Sequence, residues 1–358
     1  MTLFVGLMSG TSLDGVDGVL VEFSPALRVL AHEHQPFPGA LRSELLALNS
    51  AGDNELHRTA LAGQALAVVY AEVIDALLVG VDRATVRAVG AHGQTVRHRP
   101  QDGYTSQLLN GALLAERCGI DVVCDFRSRD VAAGGQGAPL VPAFHQALFA
   151  RPDAEVAVLN LGGIANLTLL PPDGPVLGFD CGPANVLMDL WCERHLGQPF
   201  DRDGAWGQQG RVDAALLARL QGEPFFAAAP PKSTGRDLFH AAWLDARVGA
   251  VAPVDVQATL AELTAWSVAD ELRRHAPRAG ELLVCGGGAL NAHLMARLRS
   301  LLPGVAVAPT DARGLPALQV EACAFAWLAQ AFIERRAGNL PAVTGARGPR
   351  VLGALYPA

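Results

Sequence analysis

Two glycine-rich turns, each set between strands and each near the start of one half of the chain, restrict its fold more than any other feature. The first half opens with apolar Leu3–Leu7, the loop GTSLDGVD (Gly10–Asp17), a strand at Val16–Phe23 and a third at Leu27–His32. The second half opens alike, with EVAVLNL at Glu155–Leu161, the pair Gly162-Gly163, a strand at Ala165–Leu170 and another at Val176–Phe179. Val and Leu runs suit the pleated, buried surface of a strand, and Gly, Ser, Thr and Asp suit the tight turns between them. The first half continues with helices at Leu56–Leu78, Leu108–Cys118 and Pro139–Phe149 and strands at Val86–Gly90 and Asp121–Phe126. The second continues with helices at Ala184–His195, Gln257–His275, Leu290–Leu301 and Ala317–Ile333 and strands at Glu281–Cys285 and Val305–Ala308. The repeat is one of element order and loop chemistry, since sequence identity between the halves is negligible. It predicts two α/β domains with a cleft between them, 1–150 and 151–334, the tail 335–358 being a candidate to return to the first.

With 358 residues, half of them apolar, the chain has material for two full cores. A net charge of −7 without any cluster of Lys and Arg argues against a nucleic-acid partner. The six cysteines form no CxxC pair and have no His at zinc spacing, so they read as buried free thiols in a reducing compartment. The N-terminal run lacks a basic flank, and no uninterrupted apolar stretch approaches the roughly 18 residues of a membrane span, so a soluble, cytoplasmic protein is expected. There is no GxxxxGK[ST], no GxGxxG after the first strand and no HRD or DFG, which excludes P-loop, dinucleotide-binding and protein-kinase readings.

The loops themselves suggest a triphosphate clamp. Gly10, Thr11, Ser12, Leu13, Asp14, Gly15, Val16 and Asp17 form the first candidate phosphate loop, and Asn160, Gly162 and Gly163 the second. Gly286, Gly287 and Gly288 in CGGGALN end a strand where a helix begins, a place for nucleotide contacts. Each loop alone would equally be an ordinary hairpin or strand-to-helix turn. Asp180 closes the apolar stretch VLGFD and reads either as a general base at a strand end or as a helix cap. Lys232–Gly235, a polar break after two prolines, reads as a mobile loop able to close over substrate.

Taken in order, GTSLDGVD, AHGQTVRHRP (Ala91–Pro100), Asp125–Arg127, GGQGAPLVPAFH, LNLGGIANLT, FDCGPANVLMD, PPKSTGRDLF, CGGGALN and QVEACAFAWLA (Gln319–Ala329) resemble the successive signatures of the anhydro-N-acetylmuramic acid kinases. The resemblance runs from residue 6 to about residue 330. It implies two actin-like (ribonuclease H-like) α/β domains flanking a nucleotide- and sugar-binding cleft. It also implies an ATP- and Mg²⁺-dependent enzyme of peptidoglycan recycling, which opens a 1,6-anhydro sugar with water and phosphorylates the 6-oxygen. On that resemblance Asp180 is the general base. Arg127 is expected to pair with the lactyl carboxylate, with a surface arginine as the competing reading, and Gln94, Thr95, Asn185 and Glu321 are expected to meet the sugar. His92 reads equally as a sugar ligand or as a satisfied structural residue. A structural ion pair is the competing reading of Glu321. Asp14 and Asp17 lie nearest the phosphates, with no direct metal ligand assigned. A homodimer is what the resemblance suggests. Three positions depart from the family's usual residues: Cys181 for Thr, Ala184 for Gly and His240 for Asn. A kinase for another anhydro sugar such as levoglucosan, an actin- or Hsp70-like ATPase and a non-catalytic sugar sensor are the alternatives.

Overall fold

The computed structural model describes residues 2–10 and 12–358; Met1 and Thr11 lie outside the described residues. In chain order the elements begin β1 (Leu3–Met8), β2 (Gly15–Glu22), β3 (Arg28–Pro36), α1 (Gly39–Ala47), α2 (Glu55–Leu77), β4 (Val86–Ala91), β5 (Gln94–Arg99) and β6 (Tyr104–Leu108). Then come α3 (Gly111–Cys118), β7 (Val122–Cys124), α4 (Ser128–Ala132), α5 (Val141–Phe149), β8 (Val156–Leu161), β9 (Ile164–Leu170), β10 (Leu177–Pro183) and α6 (Asn185–Leu196). The chain continues through α7 (Ala214–Gln221), α8 (Pro224–Ala227), α9 (Ala241–Val248), α10 (Pro253–His275), β11 (Glu281–Cys285) and α11 (Ala292–Leu301). It ends with β12 (Ala306–Pro309), α12 (Val320–Ile333), α13 (Pro341–Thr344) and β13 (Ala354–Tyr356). Two compact units result, one of Met1–Phe144 with Gln319–Ala358, the other of His145–Leu318.

In the first unit the sheet runs β13-β7-β4-β1-β2-β3. Strands β1, β2 and β3 form an antiparallel meander, and β4 and β7 lie parallel to β1. In the second unit the order is β10-β9-β8-β11-β12, again a meander followed by two parallel strands. Both sheets therefore carry the 3-2-1-4-5 order of the actin-like, ribonuclease H-like fold anticipated from the sequence. The first core joins sheet residues such as Val5, Leu7 and Val89 to Leu66, Tyr70 and Ile74 of α2. Helix α2 has the length and composition of a membrane span, but its apolar side packs in this core. Among the described residues it is the one helix that meets that test. The second core joins Leu159, Leu161 and Phe179 to Leu260, Leu263 and Val268 of α10.

The structure differs from the sequence reading at several elements. Helix α12, which that reading gave to the second domain, packs on β1 and β4 of the first unit. Close packing there needs glycine: a Cβ on Gly6 would stand 2.0 Å from the Ala322 carbonyl oxygen, and one on Gly90 2.0 Å from that of Phe325. Leu108 ends a strand rather than opening a helix, because Gln94–Arg99 pairs with Tyr104–Leu108 as a hairpin. Strand β10 continues past Phe179 to Pro183 across a bulge between Asp180 and Gly182.

Candidate active site

In the first unit the β1–β2 turn is fixed from beneath. Leu13 and Val16 sit in the core, so of the residues assigned to the first phosphate loop these two offer backbone and not side chain to a ligand. Leu13 takes φ 57° in the turn, its N–H bonding the Gly10 carbonyl at 3.3 Å. Ser12 is exposed, and its Oγ donates to Asp14 Oδ1 at 2.7 Å, as does the Gly15 N–H at 3.1 Å. Asp17 faces the neighbouring strand, where His32 Nε2 (3.3 Å) and His34 Nδ1 (3.1 Å) meet its Oδ1. The described residues form no cluster of three His, Cys, Asp or Glu able to hold a metal.

Behind that turn lies a buried polar network. The Ser9 hydroxyl meets Tyr70 OH at 2.8 Å and the Gly93 carbonyl at 3.0 Å. His92 Nδ1 donates to the Ser9 carbonyl at 3.1 Å, which fixes its tautomer. Its Nε2 then accepts from Arg127 Nε at 3.1 Å and Nη2 at 2.9 Å. Burial and the Arg127 charge push the His92 pKa down to about 3, so the ring stays neutral. Both ring nitrogens are thus engaged, and His92 aims Arg127 instead of offering a hydrogen bond to sugar. Arg127 Nη1 donates to the Gly137 carbonyl at 2.8 Å. Burial lowers the Arg127 pKa to about 10, against the pull of Glu321 and Asp130, and leaves it a cation at neutral pH.

Gln94 is fully buried; its Nε2 donates to the Gly10 carbonyl at 3.0 Å, while its Oε1 finds no partner among the described residues. A buried acceptor without a donor is costly, and a ligand hydroxyl would satisfy it. Thr95 Oγ1 accepts from Gln107 Nε2 at 3.1 Å and keeps its own proton to give. Glu321 stands in the first turn of α12, half-buried, with no hydrogen bond or ion pair to a described residue. The structural ion pair considered from sequence is therefore not formed. Burial raises the Glu321 pKa, with Arg127 opposing and Asp17 and Asp14 reinforcing the rise.

In the second unit the β8–β9 turn is the pair Gly162-Gly163. Their carbonyls accept from the N–H groups of Ala184, Asn185 and Val186 at the start of α6, at 2.9–3.1 Å. Planar trans peptides then aim the Gly163 and Ile164 N–H groups away from that helix. Asn185, expected at the sugar, donates from Nδ2 to the Leu161 carbonyl at 3.0 Å and lies beside Gly287 and Gly288. It groups with the glycine loops.

The glycines assigned to phosphate or nucleotide divide into two kinds. Gly15, Gly286 and Gly288 are demanded by packing: an added Cβ would stand 2.3, 2.4 and 2.6 Å from Gln35 O, Asn160 Oδ1 and Leu161 Cβ. Gly10, Gly162, Gly163 and Gly287 are not, since the nearest atom to such a Cβ is 3.7–3.9 Å away and none has a left-handed φ. Backbone kept bare where the fold has room for a side chain is what close approach of a phosphate requires.

Asp180 sits on edge strand β10, in register with Asn166 of β9, which in turn faces Asn160 of β8. Leu161, Phe179 and Cys181 are buried on the core face of these strands, so the polar row Asp180, Asn166, Asn160 lines the opposite face. Asn166 was missed from sequence, although its alternation with Ala165 and Leu167 in LNLGGIANLT carries the signal. Asp180 Oδ2 accepts from Ser233 Oγ and from the Thr234 N–H, each at 2.9 Å; no described hydrogen bond falls on Oδ1. Burial raises the Asp180 pKa, opposed by those two donors and by the charge of Lys232. The helix-cap alternative fails, because the α6 N-cap is Ala184 and no side chain caps it.

The segment Lys232–Gly235 is anchored, not a free lid: Asp180 N–H donates to the Lys232 carbonyl at 3.1 Å, and Lys232 Nζ to Glu271 Oε1 at 2.7 Å. The three departures have local accounts. Cys181 and Ala184 are packed in the core cluster, and His240 caps α9 by accepting from the Trp243 N–H at 3.3 Å, the role Asn would fill.

Comparison with known proteins finds relatives along the whole chain. The profile of the family described as anhydro-N-acetylmuramic acid kinase matches residues 2–358. The chain is 63% identical to the anhydro-N-acetylmuramic acid kinase of Variovorax paradoxus, covering 99% of each chain. It is 63% identical to that of Bordetella petrii, over 99% of this chain and 96% of the relative. Against the Ralstonia nicotianae enzyme the identity is 58%, over 99% of this chain and 97% of the relative. With this full-length similarity beside two ribonuclease H-like units and a bare-glycine turn next to a held carboxylate, the chain belongs to the anhydro-N-acetylmuramic acid kinase family.

Proposed function

We propose that the protein is an ATP-dependent kinase that takes 1,6-anhydro-N-acetylmuramic acid to N-acetylmuramic acid 6-phosphate in cytoplasmic peptidoglycan recycling. The observation that carries this reading is the carboxylate of Asp180, held through one oxygen by Ser233 and Thr234 and displaced upward in pKa by burial. A base in this state has one oxygen for water and a proton affinity closer to neutrality than a free aspartate.

The steps balance around that group. Water attacks the anomeric carbon and gives a proton to Asp180. The bond from that carbon to the ring's 6-oxygen breaks, and the 6-oxygen attacks the γ-phosphorus as the bond to ADP breaks. Because the leaving oxygen is itself the phosphoryl acceptor, no separate acid is needed to protonate it. In the second unit, backbone at Gly162 and Gly163 would cradle phosphate and Gly287 and Asn185 would serve the nucleoside end; in the first unit Gly10 is the candidate phosphate contact. Mg²⁺ bound with ATP would neutralise phosphate charge. Arg127, aimed by His92, suits a carboxylate such as the lactyl group, and the unpartnered Gln94 Oε1 suits a sugar hydroxyl.

The test is ATP turnover with the muramic sugar, with levoglucosan and with no sugar, following products by mass. Product heavier by one water and one phosphoryl unit, formed with the muramic sugar alone, supports the reading. Equal turnover without sugar, or turnover with levoglucosan alone, overturns it.

A further inference from the structure

Lys232 is a charged side chain that the reaction does not obviously use, yet it is only 5% exposed. Its Nζ donates to Glu271 Oε1 at 2.7 Å and to the Phe225 carbonyl at 3.1 Å, and lies 4.7 Å from the centre of the Phe225 ring. Glu271, 2% exposed on α10, also has His275 Nε2 at 3.3 Å and Arg274 Nη1 at 3.8 Å. A buried ion pair is weak as a stabilising device, since apolar residues of similar volume commonly serve as well. Its placement points elsewhere. The Lys232 carbonyl holds the Asp180 N–H, and the next two residues supply both hydrogen bonds to the Asp180 carboxylate. Among the described residues β10 is the edge of its sheet, and this segment holds its Asp180 N–H.

We infer that Lys232, locked by Glu271, is a positioning residue that sets Ser233 and Thr234 against Asp180 and keeps this carboxylate ionised to act as the base. The inference rests on the assignment of Asp180 above. Besides Lys232, the ionisable groups around this strand are Cys181 on β10, whose thiol burial keeps protonated, and Glu271, Arg274 and His275 on α10. Removing the Lys232 cation, or the Ser233 donor, disfavours the ionised carboxylate and raises its pKa. A merely structural lysine would leave the titration of the base where it is.

The experiment is the pH profile of kcat/KM for the sugar at saturating ATP, in wild type and in Lys232→Met, Lys232→Arg, Ser233→Ala, His275→Gln and Asp180→Asn. The acidic limb should move up by about one pH unit in Lys232→Met, a roughly tenfold loss at the acidic end. It should move up by less in Ser233→Ala, stay in place in His275→Gln, and largely return in Lys232→Arg. A limb unmoved in folded Lys232→Met overturns the inference; should that variant not fold, an unmoved limb in Ser233→Ala, an exposed position, overturns it. An active Asp180→Asn would instead remove the base assignment, a separate failure.

Discussion

Gly163→Ala tests the distinction between bare glycines and packing glycines. Its Cβ would have Val186 Cβ as nearest neighbour at 3.9 Å, ordinary contact, and the residue has no left-handed φ. Alanine there should leave stability unchanged or raise it by about 0.4–1 kcal/mol through the unfolded chain. The same methyl stands where a phosphate would approach the Gly163 N–H. Losing one hydrogen bond to a charged group is worth about 1.5–3 kcal/mol, a weakening of roughly 10- to 150-fold. Gly286→Ala supplies the contrast, because Gly286 holds φ 79° and its Cβ would meet Asn160 Oδ1 at 2.4 Å. That variant should lose more than about 1 kcal/mol of stability. Thermal unfolding and calorimetric titration with a non-hydrolysable ATP analogue read both quantities. Wild-type affinity in Gly163→Ala, or a stability loss equal to that of Gly286→Ala, would refute the reasoning.

Other consequences can be checked alongside. His92 keeps a folded pKa of about 3 against about 6.5 when unfolded, so only the unfolded chain takes up its proton between these values. Its contribution is complete above about pH 6.5 and declines as pH falls, by up to about 1.4 kcal/mol per pH unit, so chemical denaturation from pH 7.5 to 5 should show a shallower decline in His92→Gln. Arg127→Lys loses the planar fork that His92 aims, and should raise KM for the sugar about tenfold or more with little effect on KM for ATP, measured by steady-state kinetics. Gln94→Leu removes both the Gly10 tether and the unpartnered acceptor; weaker sugar binding by calorimetry is expected, and unchanged binding would remove Gln94 from the site.

Much of the fold was readable because its strands are apolar runs bounded by turn residues. Leu3–Met8, Val156–Leu161 and Glu281–Cys285 are apolar segments rich in Val and Leu, and each appears where expected. Strand β13 was not readable, since Ala354–Tyr356 becomes a strand only by pairing with Val122–Cys124 far along the chain. The continuation of β10 to Pro183 was hidden for a related reason: Gly182 at φ 154° and a bulge resemble a turn in sequence. At the site, residue types announced chemistry while partners stayed invisible. His92 read equally as a sugar ligand or a structural residue, and its two engaged nitrogens decide for the latter; Lys232, between α8 and α9, looked mobile until Glu271 of α10 was found against it. Such long-range pairing is decided by the packed core and leaves no local pattern.

The central claim is that Asp180 activates water for an attack that frees the 6-oxygen to take the phosphoryl group. It is tested most directly by running the reaction in ¹⁸O-labelled water with wild type and Asp180→Asn. The account predicts one label at the anomeric hydroxyl, none in the phosphoryl group, and loss of both ring opening and phosphate transfer in the variant. Label in the phosphoryl group, or an Asp180→Asn variant that turns over at the wild-type rate, would contradict it.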